Sequence, residues 1–389
     1  IAYSQSFTVI KKIMIKDKFN KLFFPHDNKP EHFKSLDGLR GIAVLFVILS
    51  HASNAKMFIH PIINFHAMGK VGVYLFFVLS AYLLDRQIAL AFIANKTSIG
   101  YWKNYFLRRF LRIYPLFVIA LIFHGLLNLV GVKTVIDSII DIPLHMILLK
   151  GESIFWSIPV EFKYYFISPL IMWFCHKFLE WSAGKLLFVF VLIVAISIAI
   201  ELIFHLPLVS TFRYFPIFLV GTIISIYELL FKRQLQQNIK PELFNLIGVI
   251  SFALILITIP FYFEKLFGFK INFHSSIFYF PYAILWGIIL LSAKYGGGLI
   301  KRFLELRFLR FIGAISFSLY LFHKPFLTLV NQIGIMPQIQ IYVFLLFSIL
   351  FSIISYLLIE LPLSKIKIYP KYITKKDIER KTATINTNE

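Results

Sequence analysis

Cysteine is nearly missing from this chain: Cys175 stands alone among 389 residues. An internal disulfide framework is therefore excluded, and packing with polar contacts must hold the fold together. Charge is scarce too. Asp, Glu, Lys and Arg make up 15% of the residues, where a soluble domain carries about a quarter, so an ordinary solvated surface cannot be assembled. Acidic residues are the rarest part of that share, 19 against 40 basic ones, for a formal net charge of +21. There is no linker-like stretch and no internal repeat of the transporter kind. Residues 1–36 are polar and Lys-rich without an apolar stretch before a small-residue cleavage site, so no secretory signal peptide is expected.

What the chain has instead is apolar bulk. Hydrophobic residues reach 59%, with 45 Phe and 19 Tyr, and the mean hydropathy is +0.78. One aqueous core cannot hide so much, and lipid must take the rest. Apolar runs near 40–58, 71–93, 113–131, 154–174, 186–204, 213–231, 244–263, 276–293, 309–330 and 339–361 each have about the length a helix needs to cross the hydrocarbon layer. The expected fold class is all-α: a polytopic integral membrane protein of about ten transmembrane helices.

With ten spans, the N-terminus, the even-numbered connections and the C-terminus share one side. That side collects 31 of the 40 Lys and Arg, while Lys56, Lys70, Lys133, Lys150, Arg213, Lys265 and Lys270 fall on the other. The positive-inside rule then places both termini in the cytoplasm. In a soluble protein so much positive charge would suggest nucleic acid; here topology accounts for it, and membrane lipids are the expected surroundings. The reading divides the chain into a basic cytoplasmic segment (1–36), a ten-helix membrane domain (37–363) and a basic, then polar, cytoplasmic tail (364–389).

Ionisable groups inside lipid are costly, so those retained are functional candidates. Arg40 opens the first span, and His51 lies eleven residues later, about 16 Å deeper and on almost the same helix face. A packing histidine bonded to a backbone carbonyl is the alternative. The third span is entered through RRFLRIYPLF, where Arg109 and Arg112 share a side at i, i+3. Guanidinium forks at a membrane mouth suit phosphate groups, although topology and anionic headgroups also favour arginine there. Glu161, after FWSIPV, enters the outer half of the fourth span, and Lys163 two residues on points to a different face. His323, in SLYLFHKPF, is expected about 18 Å above the cytoplasmic end of an unbroken ninth span, with Tyr320 one turn earlier. Pro325 should kink that helix and free a carbonyl near the histidine. Glu360 ends the last span, where a loop arginine is the expected partner.

Several of these stretches together resemble the membrane-bound acyltransferase family 3, bacterial proteins that O-acylate cell-surface glycans and some small molecules. The likeness covers roughly 36–363. LDGLRGIAVLFVILSHA looks like the opening motif, with its Arg and His eleven apart; GVYLFFVLSAYLL looks like the second; RRFLRIYP matches the paired-arginine motif. FWSIPVEFKYY is similar to the Trp-Ser-x-x-x-Glu motif, SFSLYLFHKPF to the Tyr-Leu-x-His-x-Pro motif, and SYLLIELP to the closing Glu-x-Pro signature. Ala81 stands where the family usually has Gly, Pro159 where a small polar residue is commoner, and Lys324 beside the histidine is a third departure; these put the acceptor identity in doubt.

The resemblance implies a cytoplasmic acyl-CoA donor, most often acetyl-CoA, and an acceptor hydroxyl on a surface or lipid-linked glycan at the outer face of a bacterial inner membrane. It implies no metal, and the stand-alone form without the second, hydrolase-like domain of many relatives. On this reading Arg40, Arg109 and Arg112 bind the phosphate groups of CoA. A pantetheine arm of roughly 15–20 Å then carries the thioester up to His51, the base or a transient acyl carrier. Glu161 and His323 orient His51 or the acceptor, with Tyr320 and Trp156 on the acceptor side, where Trp156 either stacks on a sugar or anchors at the interface. The rival expectation is a proton-coupled transporter or flippase.

Overall fold

The computed structural model describes residues 16–25, 27, 32–136, 138–271, 278–334 and 336–366. The first fifteen residues of the expected N-terminal segment, and the tail from 367, lie outside them. No strand occurs among the described residues. Ten helices of 17 residues or more follow the order of the ten apolar runs: α1 (Lys34–Asn54), α2 (Gly69–Ile93), α3 (Ile99–Leu129), α4 (Ser157–Lys177), α5 (Ala183–Phe204), α6 (Phe215–Gln237), α7 (Pro241–Ile257), α8 (Tyr279–Tyr295), α9 (Ser316–Gln332) and α10 (Pro337–Ser355). Among the described residues six stretches, those holding α1, α2, α3, α5, α6 and α10, are long and apolar enough to cross a membrane, and two bent pairs raise that to as many as eight. α4 falls outside that set, with Glu161 and Lys163 in its first turns. α8 also falls outside, at 17 residues. The chain is a multi-pass helical membrane protein.

Two expected spans are corrected. The run 244–263 breaks after Ile257, and Pro260–Phe267 leaves at 87° to α7; Pro260 starts a new helix because its ring cannot continue the old one. The run 309–330 breaks at Ile315, where ψ is 8°, and Arg307–Ala314 meets α9 at 77°. That short helix carries Arg307 and Arg310, which are costly in hydrocarbon. Arg310 instead turns to the segment before α1 and pairs with Asp27, lying 3.5 Å from Asp37. His323 therefore sits seven residues into α9, about 10 Å along it, not the 18 Å expected of an unbroken span.

Helix α2 forms the centre, touching α1, α4, α6 and α8. Burial separates inner from outer helices: 72% of the apolar window of α1 is buried and 67% of that of α2, against 17% for α5, which must face lipid. Close approach fixes the inner set. A methyl added at Gly72 would lie 2.3 Å from the Ala43 carbonyl oxygen, and one at Gly221 2.3 Å from that of Val78, so α1 and α6 rest backbone to backbone on α2. The departure at Ala81 is accommodated here, because its methyl faces Gly221.

Buried polar clusters tie the same helices. Asp85 of α2 accepts hydrogen bonds from Tyr164 (2.7 Å), Thr222 (2.5 Å) and Ser168. Glu228 of α6 pairs with Lys294, whose ammonium also lies 4.3 Å from the centre of the Phe33 ring. The hydrogen bonds offset part of the cost of burying these groups, and each cluster holds helices in register.

Candidate active site

His51 is turned inward. Its Nδ1 lies 2.7 Å from Nε2 of His323, and the two rings are nearly parallel (9°) with centroids 5.0 Å apart. That separation fits rings meeting edge to edge through facing nitrogens. On the far side, His323 Nδ1 lies 2.8 Å from the Tyr320 carbonyl oxygen and 3.1 Å from that of Leu319. Carbonyls only accept, so this nitrogen carries a proton. With both rings neutral, His323 Nε2 is then the acceptor and His51 Nδ1 the donor, which leaves an open lone pair on His51 Nε2. The backbone of α9 thus fixes the tautomer of a side chain on α1. His51 Nε2 faces the start of α2, where a methyl added at Gly69 would lie 3.7 Å away.

Pro325 frees a carbonyl near the histidine as expected, although α9 runs on through it. It leaves the Leu321 carbonyl without its helical donor, and His124 of α3 donates to that oxygen through Nε2 at 3.1 Å. His124 is fully buried. The sequence reading did not single it out, yet the signal was there: a freed carbonyl beside a key histidine needs a donor, and His124 is one of few in the apolar runs.

Glu161 and His51 belong to different parts of the site. Glu161 accepts hydrogen bonds from Ser80 (2.6 Å) and from Tyr165 one turn on (2.8 Å), and it acts electrostatically on Arg40. Lys163 points elsewhere, to the Val209 carbonyl at 3.4 Å. His323, and not Glu161, is the hydrogen-bond partner of His51. Tyr320 donates to the Ile154 carbonyl (2.5 Å) and meets Ser157 at 2.8 Å, so the Trp-Ser-x-x-x-Glu and Tyr-Leu-x-His-x-Pro stretches are bonded to each other. Trp156 is buried against Tyr214 and Phe77, with ring centroids at 4.7 and 5.8 Å. Its ring is packed on protein side chains.

The arginines gather at the opposite end of α1. Arg40 lies 3.6 Å from Asp37 and within electrostatic reach of Arg112, Glu161 and Arg109. Arg109 donates to Gln87 at 3.1 Å, while its Nε is buried without a partner. Arg112 is exposed. A groove of about 420 Å³ opens beside Arg109, lined by Lys103, Phe106, Phe110, Phe162 and Tyr165, within the usual size of a ligand site. Asp27, His32 and Asp37 bring ligand atoms within 4.8 Å of one another, but Arg310, Arg40 and Lys34 already neutralise both carboxylates. Glu360 has a different partner from the expected arginine. It accepts from the Ser318 backbone N–H (3.1 Å) and hydroxyl, capping the first turn of α9. Arg112 reaches it only electrostatically.

A hydrogen-bonded pair of imidazoles inside the helix bundle, with arginines about 16 Å away along α1, is an arrangement suited to group transfer. Residues 33–360 match the family model described as the acyltransferase domain, Acyl_transf_3. The chain belongs to that acyltransferase family. It is similar to the O-acetyltransferase OatA of Staphylococcus aureus strain NCTC 8325 / PS 47, 27% identical over 370 residues that make up 86% of this chain and 58% of the relative. OatA of strain MRSA252 matches to the same extent. The chain therefore spans less than two thirds of the length of these curated relatives. No solved structure matches it.

Proposed function

We propose that this chain is a membrane O-acyltransferase that moves an acyl group, acetyl in the first instance, from cytoplasmic acyl-CoA to a hydroxyl of an extracytoplasmic glycan. It acts in a bacterial inner membrane, with ten spans and both termini in the cytoplasm. In this reading Arg40, Arg109 and Arg112 hold the CoA phosphates, the groove beside Arg109 receives the nucleotide end, and the pantetheine arm runs along α1. The eleven residues from Arg40 to His51 span about 16 Å, which matches the roughly 15–20 Å reach of that arm.

The observation that carries the proposal is the proton order of the histidine pair. His51 Nε2 takes the acceptor hydroxyl proton as the oxygen attacks the thioester carbonyl. The proton then passes to the departing CoA thiolate as the tetrahedral intermediate collapses. His323 plays the part that a carboxylate plays in a serine-protease triad, holding the tautomer and orientation of the base. Glu161 is a positioning residue for Arg40. Its carboxylate, held by Ser80 and Tyr165, keeps one negative charge among three guanidiniums.

The test is purified protein in lipid discs with radiolabelled acetyl-CoA and candidate glycans. Label should move to glycan, and His51→Ala should abolish transfer while insertion and folding persist. A transporter or flippase would consume no thioester, and full activity of His51→Ala would end the assignment of the base.

A further inference from the structure

The acyltransferase reading leaves two cations unused beside the base. On the face assigned to the outside, positive side chains are either exposed or neutralised. Arg213 lies 3.1 Å from Glu201, Lys270 3.4 Å from Glu264, and Lys150 2.6 Å from both Asp141 and Glu152. The hydrogen bonds from Asp141 and Glu152 hold the Lys150 ammonium above its ordinary pKa. Lys56, Lys133 and Lys265 are exposed and need no partner. Lys70 and Lys324 differ from all of these. Both are partly buried, and neither has a carboxylate or hydrogen-bond acceptor among the described residues.

Each is next in sequence to a residue beside His51. Lys324 directly follows His323 and acts electrostatically on both histidines. Lys70 directly follows Gly69, the residue that faces His51 Nε2. Its charge adds to that of Arg213 and to the positive end of the α2 dipole. A partly desolvated cation without a counter-charge is costly. Lys324 is close enough to act on His51, and Lys70 is one residue from the glycine that His51 Nε2 faces, so two unanswered cations border the region of the histidine pair. The CoA phosphates do not answer them, because their arginines lie about 16 Å away along α1.

We infer that the acceptor is an anionic glycan, a sugar bearing a carboxylate or phosphate close to the acylated hydroxyl, gripped by Lys70 and Lys324. This assignment rests on the acyltransferase reading and adds the substrate class to it. The anion does two things. It supplies the missing counter-charge, and it orients the sugar so that one hydroxyl faces His51 Nε2.

The test uses the full chain in phosphatidylcholine discs with acetyl-CoA and four acceptors: methyl β-glucoside, its 6-phosphate, methyl β-glucuronide, and the methyl ester of that glucuronide. Acetylated product is read by mass spectrometry. The two charged sugars should be favoured over their neutral partners by at least about tenfold in kcat/KM, mostly through KM. Which charged sugar leads separates phosphate from carboxylate. Lys70→Gln and Lys324→Gln should each lower the preference and together erase it, with thermal stability and acyl-CoA binding retained, while Lys70→Arg and Lys324→Arg should keep it.

Equal kcat/KM for charged and neutral members would overturn the inference, as would a preference intact in the double variant. Lysine variants that change only the response to added phosphatidylglycerol would assign the pair to lipid headgroups and overturn it as well. Thioester spent on water with every sugar would remove the anionic acceptor but spare the acyltransferase. No thioester consumption at all would remove both.

Discussion

The two ends of α1 are built by opposite rules. At His51 the hydrogen bonds run in one direction, from His51 through His323 to the backbone of α9, and they leave a single lone pair open. At Arg40 the guanidiniums crowd one another, Arg109 keeps a buried nitrogen without a partner, and Arg112 stands exposed. One end has the hydrogen bonds of its histidine pair in place. The other keeps donors free, as the proposed binding of the CoA phosphates requires. Preorganisation suits a group that must hold one geometry through a reaction, and an open cluster of like charges suits a ligand that comes and goes.

The largest expected effect lies at the closed end. His51→Ala should lower acyl transfer by roughly 10²–10⁴-fold, measured as label moved from acetyl-CoA at saturating donor. His323→Ala should follow with a smaller loss, about a hundredfold by the same reasoning. It should also alter the pH–rate profile, because His51 is then free to take either tautomer. A His323→Ala enzyme with an unchanged profile would show that the pair does not work as a relay.

At the open end the effect should fall on one substrate. Arg112→Glu should raise the KM for acetyl-CoA by about ten- to a hundredfold, the size expected when a charged contact is reversed. The acceptor KM should move little. Raising the salt concentration should weaken donor binding in the unaltered protein and matter less in the variant. An equal rise in both KM values would erase the contrast between the two ends.

Much of this contrast was legible in the sequence, because expensive residues announce themselves in an apolar run. Arg40, His51, Glu161 and His323 stand out on cost alone, and the order of ten apolar runs is the order of ten long helices. What stayed hidden is what depends on pairing across distant segments. Nothing in SLYLFHKPF says that His323 meets His51, 272 positions away, or that Glu161 turns to Ser80 and leaves the histidine to its neighbour. The bend at Ile315 was also out of reach, since an apolar run keeps its composition whether or not it turns. Arg307 and Arg310 at its start were the available hint.

Smaller effects should come from groups that only support the histidine pair. His124→Ala leaves the Leu321 carbonyl buried with no donor, at a cost of about 1–3 kcal/mol. It should appear as a lower melting temperature, with a rate loss well below that of His323→Ala. Smaller still is Ala81→Gly, which installs the residue usual in the family. The Ala81 methyl faces Gly221 at a contact so close that α6 has no room for a second methyl. Removing it opens a small gap and loosens the middle of α2, for about 0.5–1 kcal/mol. The reciprocal change, Gly221→Ala, drives a methyl onto the Val78 carbonyl oxygen and should cost more, about 1–3 kcal/mol. Both melting temperatures should fall in that order. If Gly221→Ala proved the milder of the two, α2 and α6 would not rest on each other as closely as this packing requires, and the frame that brings Ser80 to Glu161 would need another explanation.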